Sequence, residues 1–341
     1  MISFGLNSFL ALLGYGCLPL AWWAERSGRT HWPALAIVLC ATLLRLSASL
    51  DPFLHPWDER YHALVGKHLA EDMLTPVLYP DARLPHDPAN WTCSHIWVHK
   101  PPFTLWCIAL SIDVLGTTPL AVRLPSIILS ALAALLLFQL GTAMISRSVG
   151  LWAGLLFAIN GHLLELASGR TSTDHVDAVF VAVILIALWA AWRMTFTRSS
   201  GWALATGVLA GVAFLTKSWP ALVIVPVTVM MISANKVLLV RSGWKLLLIM
   251  SAGALFTALP WVLYAHHRFS AESAITDAAI WTRFSVGLDT HSRPWHYYLL
   301  QLPMMHGAGV VVVLPWALRI WWKERSRTLA TLLTWILVPL V

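Results

Sequence analysis

Asp58 and Glu59 are adjacent carboxylates that follow closely on the apolar run 32–50. Where a chain leaves a membrane, the helix beneath holds such groups at a fixed depth. The sequence reads them as solvated and free to take a proton. Three more polar groups interrupt or end apolar runs in the same way. They are Lys100 in His99-Lys100-Pro101-Pro102, Asp174 in Thr171-Ser172-Thr173-Asp174, and Lys217 in Leu215-Thr216-Lys217. If one topology puts all five on the same membrane face, the chain is expected to be an enzyme working at a membrane surface.

The elements that must hold these groups follow from composition. The 341 residues are 58% hydrophobic and 11% charged, where a soluble domain carries roughly a quarter charged residues. The reading is an all-α integral membrane protein. Several apolar runs approach the ~20 residues that cross a bilayer as a helix, and the alternating segments of a β-barrel are missing from the sequence. Twenty tryptophans suit interfacial anchoring. The formal charge of +7 collects in short loops, as membrane orientation requires, so no nucleic-acid partner is expected. Cys17, Cys40, Cys93 and Cys107 form no CxxC, which argues against metal or redox chemistry through sulfur. The first apolar run has no basic n-region and no clear cleavage site, and reads as a retained helix.

Candidate spans are 5–23, 33–50, 120–140, 149–166, 175–192, 201–216, 219–234, 246–265, 298–318 and 328–341. Their connections alternate. One set is short and basic, with Arg26 and Arg29, Arg147, Arg193 and Arg198, Lys236, Arg241 and Lys245, then Arg319, Lys323, Arg325 and Arg327. The other set, 51–119, 167–174, 217–218 and 266–297, is long or acidic. The positive-inside rule makes the basic set cytoplasmic. Asp58, Glu59, Lys100, Asp174 and Lys217 then all emerge at the outer face, a result not used to build the topology. A re-entrant pair around Lys217-Ser218-Trp219-Pro220 is the rival reading there, and it too leaves Lys217 near the outside. No repeat or low-complexity linker divides the chain. One membrane domain over 1–341 is the simplest description, with 1–31 as an extra N-terminal helix and cytoplasmic turn. Leu329–Val341 stops within an apolar run, so a longer natural chain is expected.

The external loop 51–119 exceeds a mere connector. Tyr61, Leu64, Val65 and Leu69 recur at helical spacing, which predicts a helix over Glu59–Asp72, its apolar stripe laid on the membrane surface. Residues 80–98 read as an irregular cap. Phe103–Leu115 is short for a span and reads as a second juxtamembrane helix. In the second external loop, 266–297, the cations and histidines His266, His267, Arg268, Arg283, His291, Arg293 and His296 break the inside-positive pattern. An anionic ligand is one local reason for them.

The motifs then fall into an order. Trp57-Asp58-Glu59-Arg60-Tyr61, His99-Lys100-Pro101-Pro102-Phe103, Val122-Arg123-Leu124-Pro125-Ser126, Thr173-Asp174, Phe214-Leu215-Thr216-Lys217 and Leu259-Pro260-Trp261 succeed one another along the chain. This succession resembles the GT-C glycosyltransferases of the aminoarabinose–lipid A transferase and protein O-mannosyltransferase type, from about residue 51 onward. The resemblance implies a GT-C-like helical bundle, a polyprenyl-phosphate sugar donor, and a glycolipid or protein acceptor at the outer face. It also implies inverting transfer without a nucleotide sugar. The expected location is a bacterial inner membrane with a periplasmic site, though an endoplasmic reticulum enzyme with a lumenal site would show the same inside-positive pattern.

Carried over residue by residue, Asp58 is the essential carboxylate and acts as base, a role worth about 10²–10⁴ in rate. Glu59 and Asp174 are the further acidic candidates. Lys100, Lys217, Arg60 and Arg123 are the candidates for the donor phosphate, placed where negative charge accumulates. Each has a plainer alternative. Asp58 and Asp174 could cap helices, and Glu59 could pair in a first turn. Lys100 could snorkel, Arg123 could anchor a span at the headgroups, and Asp177 lies one turn inside the helix after Asp174. Arg45, inside the second span, is expected to snorkel outward or pair with an acid.

Two departures stand out: the extra helix 5–23, and His99 where the lipid A transferases carry an acid. A metal site built on that acid does not carry over, and the spacing of His86, His95, His99, His291 and His296 matches no compact ligand motif. No cofactor is required by this reading, and a divalent metal has no support in it. A transporter or flippase for a lipid-linked substrate is the rival function. Its ionisable groups would sit at midplane on broken helices, in internal repeats, whereas here they crowd span ends. A scaffold that kept the fold without the activity is a third reading.

Overall fold

A computed structural model describes residues 2–80, 85–172, 174–235 and 241–285, with scattered helical positions between 296 and 331. The predicted spans 298–318 and 328–341, and the histidine and arginine at 291 and 293, lie largely or wholly outside the described residues.

The described chain is helical, and its single β-bridge joins Val77 to Ile96. Helices α1 (Ile2–Arg26) and α2 (Trp32–Ser49) form an antiparallel hairpin. Two short helices, α3 (Asp58–Glu71) and α4 (Phe103–Leu115), follow. The bundle continues with α5 (Pro119–Met144), α6 (Arg147–Ala158), α7 (Gly161–Ala167), α8 (Asp174–Thr197) and α9 (Ser200–Lys217). A 3-10 turn, Trp219–Val223, leads into α10 (Ile224–Ala234), and α11 (Arg241–Arg268) and α12 (Ser270–Ser285) complete it. Six of these helices are long and apolar enough to cross a membrane. Leu12, Leu248, Leu255 and Phe256 stand exposed, as side chains facing lipid would.

Local chemistry sets several boundaries. Thr118, Ser146 and Asn160 accept from backbone N–H groups in the first turns of α5, α6 and α7, which satisfies donors that a helix start leaves open. The expected span 149–166 is not one straight helix. It breaks at Ile159-Asn160, where α6 and α7 meet at 52°. Arg45 explains what stabilises the break. It is fully buried and donates to Ser130 Oγ (2.5 Å), to Ala41 O (3.1 Å), and to the carbonyls of Phe157 (3.5 Å) and Ala158 (3.1 Å) at the end of α6. It neither snorkels nor pairs with an acid. A charge inside a bundle is tolerated when backbone carbonyls surround it.

The juxtamembrane pair differs from expectation in its packing. The apolar face of α3 lies on α4 and the cap instead of on the membrane surface. Tyr61, Val65 and Leu69 share a core with Leu78, Trp97, Leu105 and Ala109. Gly66 permits this approach, since a Cβ there would stand 2.5 Å from a methyl of Ile108. The cap is held by Trp97, whose indole N–H donates to Trp91 O at 2.9 Å.

The helix ends sort into two sets. The end of α2, the starts of α3, α5 and α8, and the ends of α7 and α9 meet at one end of the bundle. At the opposite end Arg147, at the start of α6, donates to Glu25 Oε2 at 2.6 Å and to the carbonyls of Arg29 and Thr30. Among the described residues, the basic turns at Arg29 and Arg147 thus lie at the end opposite Asp58, Asp174 and Lys217.

Candidate active site

Asp58 and Lys100 face each other across 3.9 Å at the first end, with side chains 16% and 17% exposed. That separation is an ion-pair distance too long for a strong hydrogen bond. Lys217, the last residue of α9, is ion-paired with Asp177, one turn into α8. Lys100 feels this whole set. Burial pushes its ammonium below the usual lysine range, Asp58 opposes that, Lys217 adds to it, and Asp177 and Asp174 oppose it again. The two lysines are thus close enough to repel each other, and each faces a carboxylate.

Glu59 is not solvated. It is fully buried and holds Arg123, which donates from Nε to Oε1 (2.6 Å) and from a terminal nitrogen to Oε2 (3.0 Å). His55 N–H donates to Oε2 at 2.5 Å, and His175 Nε2 lies 3.3 Å from Oε1. Burial alone would push the Glu59 carboxyl up, but the bonds from His175 and Arg123 win and hold it at about 2. Nη1 of Arg123 donates to Ser49 O and Asp51 O, and Nη2 donates to Phe53 O as well as to Glu59, at 2.7–2.9 Å for the three carbonyls. One guanidinium therefore shapes the loop that delivers Asp58. It is buried in that loop and does not anchor α5 at the headgroups.

Asp174 is also fully buried. Its Oδ1 bonds His62 Nδ1 at 2.8 Å and accepts the N–H of His175. Arg60 is exposed, stacks over Tyr61 at 4.9 Å, and lines a separate cavity with Lys67. The structure therefore brings Asp58, Lys100, Lys217 and Asp177 together. Glu59, Arg123 and Asp174 lie behind them, and Arg60 faces away. The N-cap position of α3 is Trp57, and Asp58 is the first residue of the helix.

Strain concentrates at the same place. Four described non-glycine residues have left-handed φ, and three of them are Trp57 (81°), Asp174 (27°) and Ser218 (55°). Trp57 precedes Asp58 and Ser218 follows Lys217. Such conformations cost about 1–3 kcal/mol each and cluster where surroundings over-determine a functional site.

Two cavities open beside the lysines. One, of about 240 Å³, is lined by His99 and Pro101, which bracket Lys100, and by Leu215 and Ser218 around Lys217. Its remaining walls include Phe214, Trp219 and Trp261. The other, of about 260 Å³, shares Val98, His99 and Thr276 with it and adds Trp91, Ser94 and Glu272. His99 stacks on Trp91 at 5.6 Å, with the rings 13° from parallel. Both cavities are walled mainly by apolar and aromatic side chains, and the second adds Ser94 and Glu272. Among the described residues no three His, Cys, Asp or Glu side chains are grouped to hold a metal ion.

Sequence reasoning overlooked His55, His62 and His175. Helical spacing carried a signal for one of them, since His62 lies four residues after Asp58 and so shares its face.

A bundle of spanning helices with a charged, strained end over juxtamembrane helices defines a polytopic membrane protein. Comparison with known proteins agrees. Residues 99–264 match the family model described as dolichyl-phosphate-mannose-protein mannosyltransferase. The undecaprenyl phosphate-alpha-4-amino-4-deoxy-L-arabinose arabinosyl transferase of Pseudomonas aeruginosa (strain LESB58) is 33% identical over 269 residues, covering 74% of this chain and 47% of that protein. ArnT from Cupriavidus metallidurans bound to undecaprenyl phosphate superposes with a TM-score of 0.64 at 16% identity, covering 90% of this chain and 54% of that one. Its apo form gives 0.63. The chain is thus similar, in sequence and in fold, to GT-C glycosyltransferases of the aminoarabinose–lipid A transferase and protein O-mannosyltransferase type. It spans about half the length of the curated relatives it matches.

Proposed function

We propose that this chain forms the catalytic membrane domain of a glycosyltransferase that takes a sugar from a polyprenyl phosphate. The acceptor is a lipid A-like glycolipid or a protein hydroxyl or amine, met at the outer face of a bacterial inner membrane. The observation that carries this reading is the Asp58–Lys100 pair at 3.9 Å, with Lys217 close to it and a cavity lined by the neighbours of both lysines.

In this mechanism Lys100 and Lys217 hold the phosphate, and the first isoprene units lie along Phe214, Trp219 and Trp261. Asp58 takes the proton of the acceptor as the acceptor atom bonds to the sugar's anomeric carbon. The bond from that carbon to the phosphate oxygen breaks, its electron pair leaves with the phosphate, and the configuration inverts. Positioned cations stabilise the charge that develops on the leaving group. Glu59, Arg123 and Asp174 act by holding this geometry. The reaction as written uses the chain's own groups and needs no metal.

Asp58→Asn keeps the shape and removes the base. Transfer from an undecaprenyl-phosphate sugar should fall about 10²–10⁴-fold, while undecaprenyl phosphate still binds with its original affinity. Unchanged transfer removes Asp58 from the mechanism. Membrane-impermeant labelling of a cysteine at Lys217 in intact cells checks the face, and modification only after the cytosol is opened refutes it.

A further inference from the structure

Two bonds cross between α3 and α8 in opposite senses. Glu59 on α3 meets His175 on α8 at 3.3 Å, and His62 on α3 meets Asp174 on α8 at 2.8 Å. All four residues are at most 1% exposed, so no bulk water replaces a bond that is lost. Spacing on each helix ties the second bond to the site. His62 is four residues beyond Asp58, and Asp174 is three before Asp177, so each lies one turn from an acid that faces a lysine.

We propose that His62 is a positioning residue for sugar transfer. Its Nδ1–H, donated to Asp174, sets the distance between the Asp58–Lys100 pair and the Asp177–Lys217 pair. The inference rests on the function proposed above.

Three observations support it. Asp174 has a φ of 27°, outside what an aspartate adopts without restraint, and its Oδ1 is fixed by His62 and by the N–H of His175. The imidazole packs edge-on against Trp97, itself 1% exposed, with ring centres 5.7 Å apart, so it has one orientation. Finally, His62 Nε2 and Asp174 Oδ2 are buried without a hydrogen-bond partner among the described residues. The single Nδ1 bond therefore carries the compensation that the imidazole's burial demands. A donor on Nδ1 also fixes the tautomer, since the other ring nitrogen of a neutral histidine is an acceptor.

The prediction distinguishes where the donor sits. Asparagine places its amide N–H near the position of Nδ1, glutamine carries its own further out, and leucine has none. In the full chain His62→Asn should restore most of the wild-type kcat. His62→Leu and His62→Gln should lose about 10²-fold in kcat, the scale of a misplacement near 1 Å. KM for the undecaprenyl-phosphate sugar should stay near wild type, because both lysines remain. A role in folding alone would instead lower the yield of folded protein and leave kcat per folded molecule intact.

Spin labels on the exposed positions Lys67 and Ser172, introduced as unnatural amino acids, report the α3–α8 distance without any substrate. The distribution should be narrow in wild type and His62→Asn, and broad in His62→Leu. A leucine variant with wild-type kcat and a narrow distribution overturns the proposal, as does an asparagine variant that behaves like leucine. If wild type transfers no sugar while the label distances still follow the Nδ1 donor, the functional reading falls and the clasp between the helices stands.

Discussion

The two ends of the bundle handle charge in opposite ways. At the site end Glu59, Arg123 and Asp174 are fully buried, and every one is bonded to several partners. At the far end Arg147 and Glu25 pair through one good contact, with side chains 38% and 19% exposed. Arg26 and Arg29 rest there on the rings of Trp22 and Trp23. The far end needs only a net positive charge near the headgroups, which any loose arrangement supplies. The site end must hold atoms at set distances, and burial with full hydrogen bonding is the way a chain does that. Burial also makes its parts costly to remove.

Arg123→Leu should break the contrast most severely. It strands Glu59 in the interior, and removing one partner of a buried pair costs about 3–5 kcal/mol. We expect little monodisperse protein in size-exclusion chromatography, whatever the sequence of the far end.

Acid should unpick the same region. The Glu59 carboxyl is held at about 2 against an ordinary 4.5, so its folded pKa is depressed. The stability this gives is complete above about 4.5 and is lost as pH falls toward 2. Thermal melts over that window should show Tm dropping steeply in the wild type. A Glu59→Gln variant should start lower and fall less, and parallel slopes would show that Glu59 is not the group responsible.

A smaller test targets the backbone. Gly169 has a φ of 76°, and a Cβ there would collide with the Glu59 carboxylate. Gly169→Ala should cost about 1–3 kcal/mol through the left-handed strain alone, read as a lower Tm together with a fall in transfer. The smallest effect is expected at the other end. Arg147→Ala removes a partly exposed pair worth about 0–1 kcal/mol and two exposed bonds to the carbonyls of Arg29 and Thr30, so Tm should fall less than in the site variants and activity should hold. A large loss there would erase the distinction between the two ends.

Much of this was legible in the sequence for a simple reason. Hydropathy sets which segments span, and loop charge sets their alternation, and both are properties of the chain read locally. The helix at Phe103–Leu115 and the gathering of Asp58, Lys100 and Lys217 at one end followed from those two rules. Asp58 and Lys100, separated by 42 positions, became a pair only because α3 and α4 pack through Gly66.

The sequence by itself determined the class of molecule and the place of most of its long apolar helices. It counted 149–166 and 219–234 as full spans, where the structure has a helix pair bent by 52° and a short apolar helix. Tertiary structure alone decided which charged groups are fully buried and which stay partly exposed. Asp58 and Glu59 are neighbours of the same type, yet consecutive residues on a helix point about 100° apart. One faces the open lysine, and the other turns inward to Arg123. The roles of Arg45, His62 and His175 depend likewise on partners 49 to 116 positions away in the chain, and periodicity within one segment carries no information about those.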